Sequence, residues 1–271
     1  MPYPRFRHHT ASIPLLTSHI RQRTFQGIHQ DRLPRIMTAS PSPQYSLVIP
    51  AYNEENRITL LFDAIPHFEG ELIVVCDGTD GTADIIDRIA AERRDLTIRC
   101  LRFDHRLGKG GGVMAGLKAA HASRVGYFDA DGSTTIGEMM RLLSCLKESD
   151  CVIGSRWVPG STLTVRQSFM RRIESRMFNL IIRTLFGLDF HDTQCGAKVF
   201  RKPVIDEILP LMHSTGFEFD VELLWILKKT GAGIREIPIE WQNKGDSRVR
   251  KRDMIRMLSG LLVLRFHQVS A

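Results

Sequence analysis

From Tyr45 onward, short apolar runs alternate with turn residues and with segments of helical period, and this alternation restricts the fold more than any other feature. Residues 45–50 read as a short buried strand; Ile58, Leu61, Phe62 and Ile65 then recur at helical spacing, with Asn53 placed to cap that helix. Residues 72–75 form the next strand, followed by the turn D-G-T-D-G-T at 77–82 and a helix over 83–93. Residues 96–103, 125–128 and 151–154 read as three further strands, with helices over 108–121 and 136–147 between them. Such alternation predicts an α/β fold, a mainly parallel sheet with helices on both faces. A chain of 271 residues that is 43% apolar can supply that core.

In such sheets ligands bind outside the carboxyl ends of the strands. The unusual residues gather there: Asn53 and Glu54 after the first strand, Asp77 after the second, Lys109 and its glycines after the third, Asp129 and Asp131 after the fourth. The opposite ends carry no comparable cluster of acids and glycines. In V-G-Y-F-D-A-D-G-S-T-T, 125–135, two aspartates end an apolar run. Like charges that close repel and lose hydration, so a cation or a donor network is expected to compensate them; otherwise the stretch is a turn with an Asp N-cap.

G-K-G-G-G at 108–112 is not a Walker A loop, because no Ser or Thr follows the lysine at the required place. Backbone N–H groups bared by glycine at a helix start, with Lys109 beside them, suit a phosphate or other anion; a surface turn is the alternative. Asp77 is placed either to accept from a base or ribose or to form an Asx-turn. Asp129 and Asp131 would hold a divalent cation through oxygen, which would neutralise a diphosphate. Together these describe a nucleoside-diphosphate site.

The net charge of +7 favours anionic partners. Five cysteines, odd in number and without a C-x-x-C pair, indicate neither a disulfide framework nor a zinc site and suit a reducing cytosolic compartment. No window approaches the roughly 18–20 apolar residues that span a bilayer. Residues 165–187 read as an amphipathic helix or helix pair, with Ile173, Met177, Leu180, Ile181 and Leu185 on one side and Arg166, Arg171, Arg172, Arg176 and Arg183 outweighing Glu174. Residues 244–267 repeat the theme. Both stretches suit either an anionic lipid surface or helices packed on the sheet with solvated arginines. No nucleic-acid-binding motif is visible.

V-I-P-A-Y-N-E-E at 48–55, V-C-D-G-T-D-G-T at 75–82, G-K-G-G-G-V at 108–113, D-A-D-G at 129–132, I-G-S-R at 153–156 and D-T-Q-C-G-A-K at 192–198 occur in this order. In that order they resemble the family 2 glycosyltransferases of GT-A fold, in the branch of the dolichyl-phosphate glucose and mannose synthases and their bacterial polyprenyl-phosphate counterparts. The resemblance covers the chain from about Tyr45 to its C-terminus. It implies that Pro50, Asn53, Glu54, Asp77, Lys109, Asp129 and Gln194 bind a nucleotide-sugar, and that Asp129 and Asp131 hold Mg²⁺ or Mn²⁺. It also implies that Asp131, Arg156, Asp192 and Lys198 serve the reaction, with Arg156 and Lys198 holding an acceptor phosphate and Asp192 orienting a cationic partner.

Cys76 stands where many members carry another aspartate, and Ser133 where mannose synthases commonly carry glutamine. D-T-Q-C-G-A-K and G-F-E-F-D-V-E-L-L, 216–224, look more like the glucose synthases. The implied reaction is inverting transfer of a hexose, with UDP-glucose the favoured donor, to a polyprenyl phosphate; transfer from GDP-mannose, or to a soluble acceptor, is the alternative. A sugar nucleotidyltransferase would carry an arginine-containing glycine signature where A-Y-N-E-E stands, and a non-enzymatic basic module leaves Asp77, Asp129 and Asp131 unexplained. The expected location is cytoplasmic and peripheral on a membrane, with a membrane protein as a further possible partner.

The expected organisation is a basic leader at 1–43, the GT-A domain at 44–243 and a basic amphipathic helix at 244–271. The leader carries Arg5, Arg7, Arg21, Arg23, Arg32 and Arg35 against Asp31 alone, the bias of an organellar transit peptide; equally, Met37 is placed to be the start. Residues 1–36 have too little apolar periodicity to add a core element. A chain beginning at Met37 is therefore expected to match the full chain in melting temperature and activity; a fall of several degrees would show that the leader packs on the domain.

Overall fold

The computed structural model describes residues 43–163, 169–242 and 251–267. Its elements run β1 (Ser46–Ala51), α1 (Ile58–Asp63), β2 (Glu71–Cys76), α2 (Thr82–Glu92), β3 (Thr97–Arg102), α3 (Gly108–Ala119), β4 (Arg124–Tyr127), α4 (Ile136–Ser144) and β5 (Cys151–Ser155). They continue with β6 (Thr162–Leu163), α5 (Phe169–Phe186), β7 (Lys198–Arg201), α6 (Lys202–Ile208), α7 (Phe219–Lys229), β8 (Ile234–Pro238), β9 (Glu240–Trp241) and α8 (Lys251–His267). The expectations for the leader, for Arg166 and for 243–250 lie outside the described residues.

The main sheet has the order β3-β2-β1-β4-β7-β5-β8. All its pairings are parallel except those of β7, which runs antiparallel to β4 and β5. Strand β7 was not foreseen: its four residues, K-V-F-R, show no alternation long enough to separate a strand from a helix start. The sheet is covered on both faces at its centre, so β1 and β2 are near-continuous buried apolar runs, whereas the edge strands β3 and β8 carry Arg99, Arg102, Arg235 and Glu236. Leu47, Ile49, Leu72 and Val74 meet α1, α2 and α4 through Phe62, Ile86, Met139 and Leu142. Val48, Ile73, Val75 and Tyr127 on the other face share a core with Val113, Phe219, Leu224, Phe178 and Ile182. Met257, Leu261 and Leu264 of α8 join that second core, so the C-terminal helix is part of the main body.

Two expectations about local structure are corrected. Asn53 does not cap α1: it lies at φ 52°, its side-chain oxygen accepts from Thr79 N at 2.9 Å, and the helix begins only at Ile58. The strands' amino ends carry one buried acid that the sequence did not single out, Glu71, which accepts from Ser46 Oγ, His121 N and Arg99 Nη1. Burial pushes this carboxyl up, but those bonds outweigh it and hold it below the usual range. In α5 the buried side is Phe178, Ile182 and Phe186, whereas Met177, Leu180 and Ile181 face outward. Leu262, Val263 and Phe266 of α8 are likewise exposed, and Arg265 Nε donates to Leu185 O at 3.0 Å, tying the two helices together. Among the described residues no helix is long and apolar enough to cross a membrane.

Helix α3 lies close on β1 because Gly116 has no side chain: a Cβ there would stand 2.2 Å from Val48 Cγ1. Gly116→Ala is therefore expected to cost about 1–3 kcal/mol by overpacking. Gly137→Ala, whose new Cβ would meet only Thr135 Oγ1 at 3.7 Å within α4, is expected to gain up to about 1 kcal/mol from helix propensity. Urea unfolding of the two variants should show midpoints displaced in opposite directions.

Candidate active site

Between β2 and β4, on either side of β1, the direction of strand succession reverses. A crevice opens at the carboxyl ends there. Asp129 and Asp131 follow β4 into it. Neither aspartate caps α4, whose N-cap is Thr135, accepting from Glu138 N. Asp131 Oδ1 takes Ser133 N at 2.9 Å, which fixes its carboxyl group and leaves the second oxygen. The Asp129 carboxylate lies against Gly196, where a Cβ would fall 1.9 Å from Oδ2, and keeps 36% of its side chain exposed. Two accessible carboxylates in a cradle that any larger residue at 196 would fill fit a hard divalent cation. Among the described residues no third His, Cys, Asp or Glu joins them, so phosphate and water oxygens would complete the shell.

The glycine stretch is not an open anion cradle. Leu107 N and Gly108 N both donate to Asp77 Oδ2, at 2.9 and 3.0 Å. Gly110 N and Gly111 N donate to Thr215 O at 2.9 and 3.2 Å. The N–H groups of Leu107, Gly108, Gly110 and Gly111 are thus spent on protein oxygens. Gly108 adopts φ 77° and a Cβ on it would strike Thr215 O at 2.5 Å; one on Gly110 would meet Phe219 Cβ at 2.5 Å. These glycines permit close approach of the segment entering α7. That segment is held from beneath by buried Glu222, which accepts from His213 N and Ser214 N. Asp77, expected to face a base or ribose, has at least one oxygen committed to this clasp.

Lys109 escapes the clasp and points its ammonium at Asp129 Oδ1, 3.0 Å away, with Asp220 Oδ2 at 3.9 Å. Burial alone would depress this lysine, but Asp129 and Asp220 raise it above its ordinary value, so it is cationic. It is the compensating charge anticipated beside the acid pair. Asp220, in the first turn of α7, also accepts from the Tyr127 hydroxyl and from Lys198 Nζ. Burial, then the Asp220 charge, hold the Tyr127 phenol well above the usual range. Lys198 was expected to grip an acceptor phosphate. That role is corrected: its side chain is 0% exposed at the start of β7, and its ammonium is taken by Asp220 and, at 2.7 Å, by Cys195 O.

Arg156 and Asp192 form a second buried unit. Nε and Nη2 of Arg156 donate to the two oxygens of Asp192 at 2.7 and 2.8 Å, and Arg156 N adds a third bond at 3.0 Å. Asp192 thus holds the Arg156 guanidinium in a fixed orientation. Glu236 accepts from His191 N and Asp192 N, fixing the backbone behind it. Burial would lower the guanidinium, yet Asp192 raises it; it remains charged beside the rings of Trp241 and Trp157, 5.4 and 5.9 Å away. Asp192 takes two of its five N–H donors, along one edge, and leaves the others. Gln194, expected at the nucleotide-sugar, turns its amide to Met257 Sδ of α8 at 3.2 Å. Glu54 is buried and paired with Arg57, and Pro50 lies under Gly112.

Sequence reasoning missed Tyr52, whose ring lies 3.2 Å beneath the Arg106 guanidinium, and the roles of Tyr127 and Gly196. Nothing in spacing marks a pair joined across separate strand ends. A cleft of about 180 Å³ at the ends of β2 and β3 is lined by Cys76, Gly78, Thr79, Asp80, Arg102 and Phe103 among others.

Comparison with known proteins places the chain in a family and matches its fold. The family model for glycosyl transferase family 2 matches residues 46–209. Glycosyltransferase AglD of Haloferax volcanii is 32% identical over 246 residues, 87% of this chain but 38% of that protein, so the chain spans under two fifths of AglD's length. The dolichyl-phosphate beta-glucosyltransferase ALG5C of Trichomonas vaginalis is 32% identical over 253 residues, 86% of this chain and 74% of the relative. The crystal structure of glucosyl-3-phosphoglycerate synthase from Mycobacterium tuberculosis with Mn²⁺, UDP and glucosyl-3-phosphoglycerate superposes with a TM-score of 0.60 at 19% identity, covering 82% of this chain and 80% of that one. That likeness carries the GT-A-like architecture, a mostly parallel sheet between helices. Matched over more than half its length and sharing these motifs in order, the chain belongs to glycosyl transferase family 2.

Proposed function

We propose that this chain transfers a hexose from a nucleotide-sugar, with UDP-glucose the favoured donor, to a polyprenyl phosphate, inverting the anomeric carbon. The observation that carries this is the state of the carboxylates that would otherwise serve as a base. Asp192 is locked in a bidentate pair with Arg156, and Asp220 is shared by Lys198 and Tyr127. An alcohol acceptor needs a positioned base, since its hydroxyl is far from ionised at neutral pH. A phosphate monoester, with a second pKa of about 6, is already largely dianionic and needs only charge compensation and positioning. Arg156 supplies both, with donors beyond those that Asp192 takes. The printed name of the Trichomonas relative, a dolichyl-phosphate glucosyltransferase, supports the same acceptor class and sugar.

Asp129 and Asp131 would hold Mg²⁺ or Mn²⁺, which, when bound, neutralises the diphosphate that leaves. Lys109 stands beside them, bonded to Asp129, with N–H donors that could turn to the donor's phosphates once a cation takes up that carboxylate. Pro50, Asn53, Glu54 and Asp77 surround the expected nucleotide end, where Tyr52 and Arg106 add a stacked face. The exposed Met177, Leu180 and Ile181 of α5 and Leu262, Val263 and Phe266 of α8 form an apolar margin suited to a membrane interface, where a lipid-borne acceptor resides. A peripheral position on the cytoplasmic side follows, with a membrane protein as an optional anchor.

Asp131→Asn is expected to abolish transfer while leaving circular dichroism unchanged, and excess chelator to silence the parent enzyme; near-normal turnover in either case would remove the cation from the scheme. Arg156→Lys keeps a counter-charge for buried Asp192 but loses the planar fork. It should raise the apparent KM for the acceptor, or lower turnover, with donor binding nearly unchanged. The decisive assay offers UDP- and GDP-sugars with matched polyprenol and polyprenyl phosphate and follows label into the organic phase. Only the phosphate should be glycosylated; comparable rates with the free alcohol would show that a true base is present.

A further inference from the structure

The segment G-F-E-F-D-V-E-L-L carries Asp220, whose carboxylate is divided between two neighbourhoods. Oδ1 takes the Tyr127 hydroxyl and the Lys198 ammonium; Oδ2 faces Lys109 at 3.9 Å. The Lys109 ammonium meanwhile bonds Asp129 Oδ1 at 3.0 Å, with only 17% of its side chain exposed. One buried cation therefore stands between two carboxylates, bonded to the first and within ion-pair reach of the second. Asp129 is also the carboxylate that a divalent cation would need, and an ammonium and a dication on the same oxygens repel each other.

We propose that Asp220 is a positioning residue for cation binding: it receives Lys109 when Asp129 exchanges the ammonium for the metal. This rests on the cation-holding role proposed above for Asp129 and Asp131. The exchange breaks one ion pair and strengthens another, with no proton moved. The ammonium needs to travel only roughly 1 Å to bring the Asp220 contact to ordinary charge-assisted length. Asp220 is built to wait for it. Tyr127 and Lys198 fix Oδ1, Lys198 is itself held by Cys195 O, and the clasp of Thr215 on Gly110 and Gly111 sets the start of α7 against the start of α3. Lys198 is bonded to both of its acceptors, whereas Lys109 is bonded to Asp129 and stands just beyond bonding distance of Asp220. After the move it still faces the crevice with donors left for a diphosphate.

The test is a Mn²⁺ titration of the full chain without donor, read as the electron paramagnetic resonance of the free ion. Wild type is compared with Asp131→Asn, Lys109→Met, Asp220→Asn and the Lys109→Met/Asp220→Asn double variant, each checked for folding by circular dichroism. Lys109→Met should bind Mn²⁺ about fivefold tighter than wild type and Asp220→Asn about fivefold weaker, the size of a modest ion-pair coupling. The double variant should match Lys109→Met within about twofold, because Asp220 acts through Lys109. Absence of Mn²⁺ uptake by wild type, or full uptake by Asp131→Asn, would sink the cation role itself. If Asp131→Asn loses Mn²⁺ but Lys109→Met binds no tighter than wild type, the exchange alone is wrong. It is also wrong if Asp220→Asn weakens binding equally with and without Lys109. Should Asp220→Asn fail to fold, the comparison of Lys109→Met with wild type still decides.

Discussion

Four elements meet at one buried carboxylate. Asp220, 2% exposed, is bonded by Tyr127 at the end of β4 and Lys198 at the start of β7, stands beside Lys109 in the first turn of α3, and itself opens α7. A charge so placed is tolerable only when its partners are well aligned, because removing any one leaves an uncompensated ion away from water. Two aspartates, 129 and 220, face two lysines, 109 and 198, so the group is balanced before any ligand arrives. The same balance sets how the sheet, the glycine helix and α7 lie against each other. It also leaves one of the four charges, Lys109, poised between alternatives.

The glycines belong to this arrangement more than to any anion. Gly108, Gly110 and Gly116 let α3 press against Thr215, Phe219 and Val48 at separations no Cβ would allow. Four of the N–H groups at this helix start, those of Leu107, Gly108, Gly110 and Gly111, are then satisfied by Asp77 and by Thr215 O. A helix start of this kind offers an anion its lysine more than its glycine backbone. Gly196 does the corresponding service for Asp129, and Gly78 for Asn53, whose Oδ1 would lie 2.3 Å from an added Cβ.

The second charged unit, Arg156 with Asp192, is set apart in sequence by a strand and a helix yet closed by three hydrogen bonds and backed by Glu236. A guanidinium bound this way is pre-positioned, so little freedom is lost when an anion meets its remaining donors. Under the proposed function, the acid pair and the arginine pair would give the crevice one pole for a cation with a diphosphate and another for an acceptor anion. The outward apolar residues of α5 and α8 lie on helices whose inner sides belong to the same core as the site.

Much of this was legible in the chain itself. Strand and helix order, the mainly parallel sheet and the gathering of Asn53, Asp77, Lys109, Asp129 and Asp131 at the strands' carboxyl ends follow from local pattern, because period and turn chemistry are properties of neighbours in sequence. The antiparallel β7, the burial of Lys198, the true inner side of α5 and the commitment of the glycine N–H groups did not. Each depends on which distant segment arrives opposite: Lys198 looks like a free cation until Asp220, 22 positions away, closes on it, and G-K-G-G-G looks like a phosphate loop until Thr215 takes its donors. By itself the sequence determined the kinds of groups and the end of the sheet where they collect. Only the tertiary structure decided which charges are spent on one another and which remain for a ligand, since buried ions and unpaired donors take whichever partner packing brings within reach.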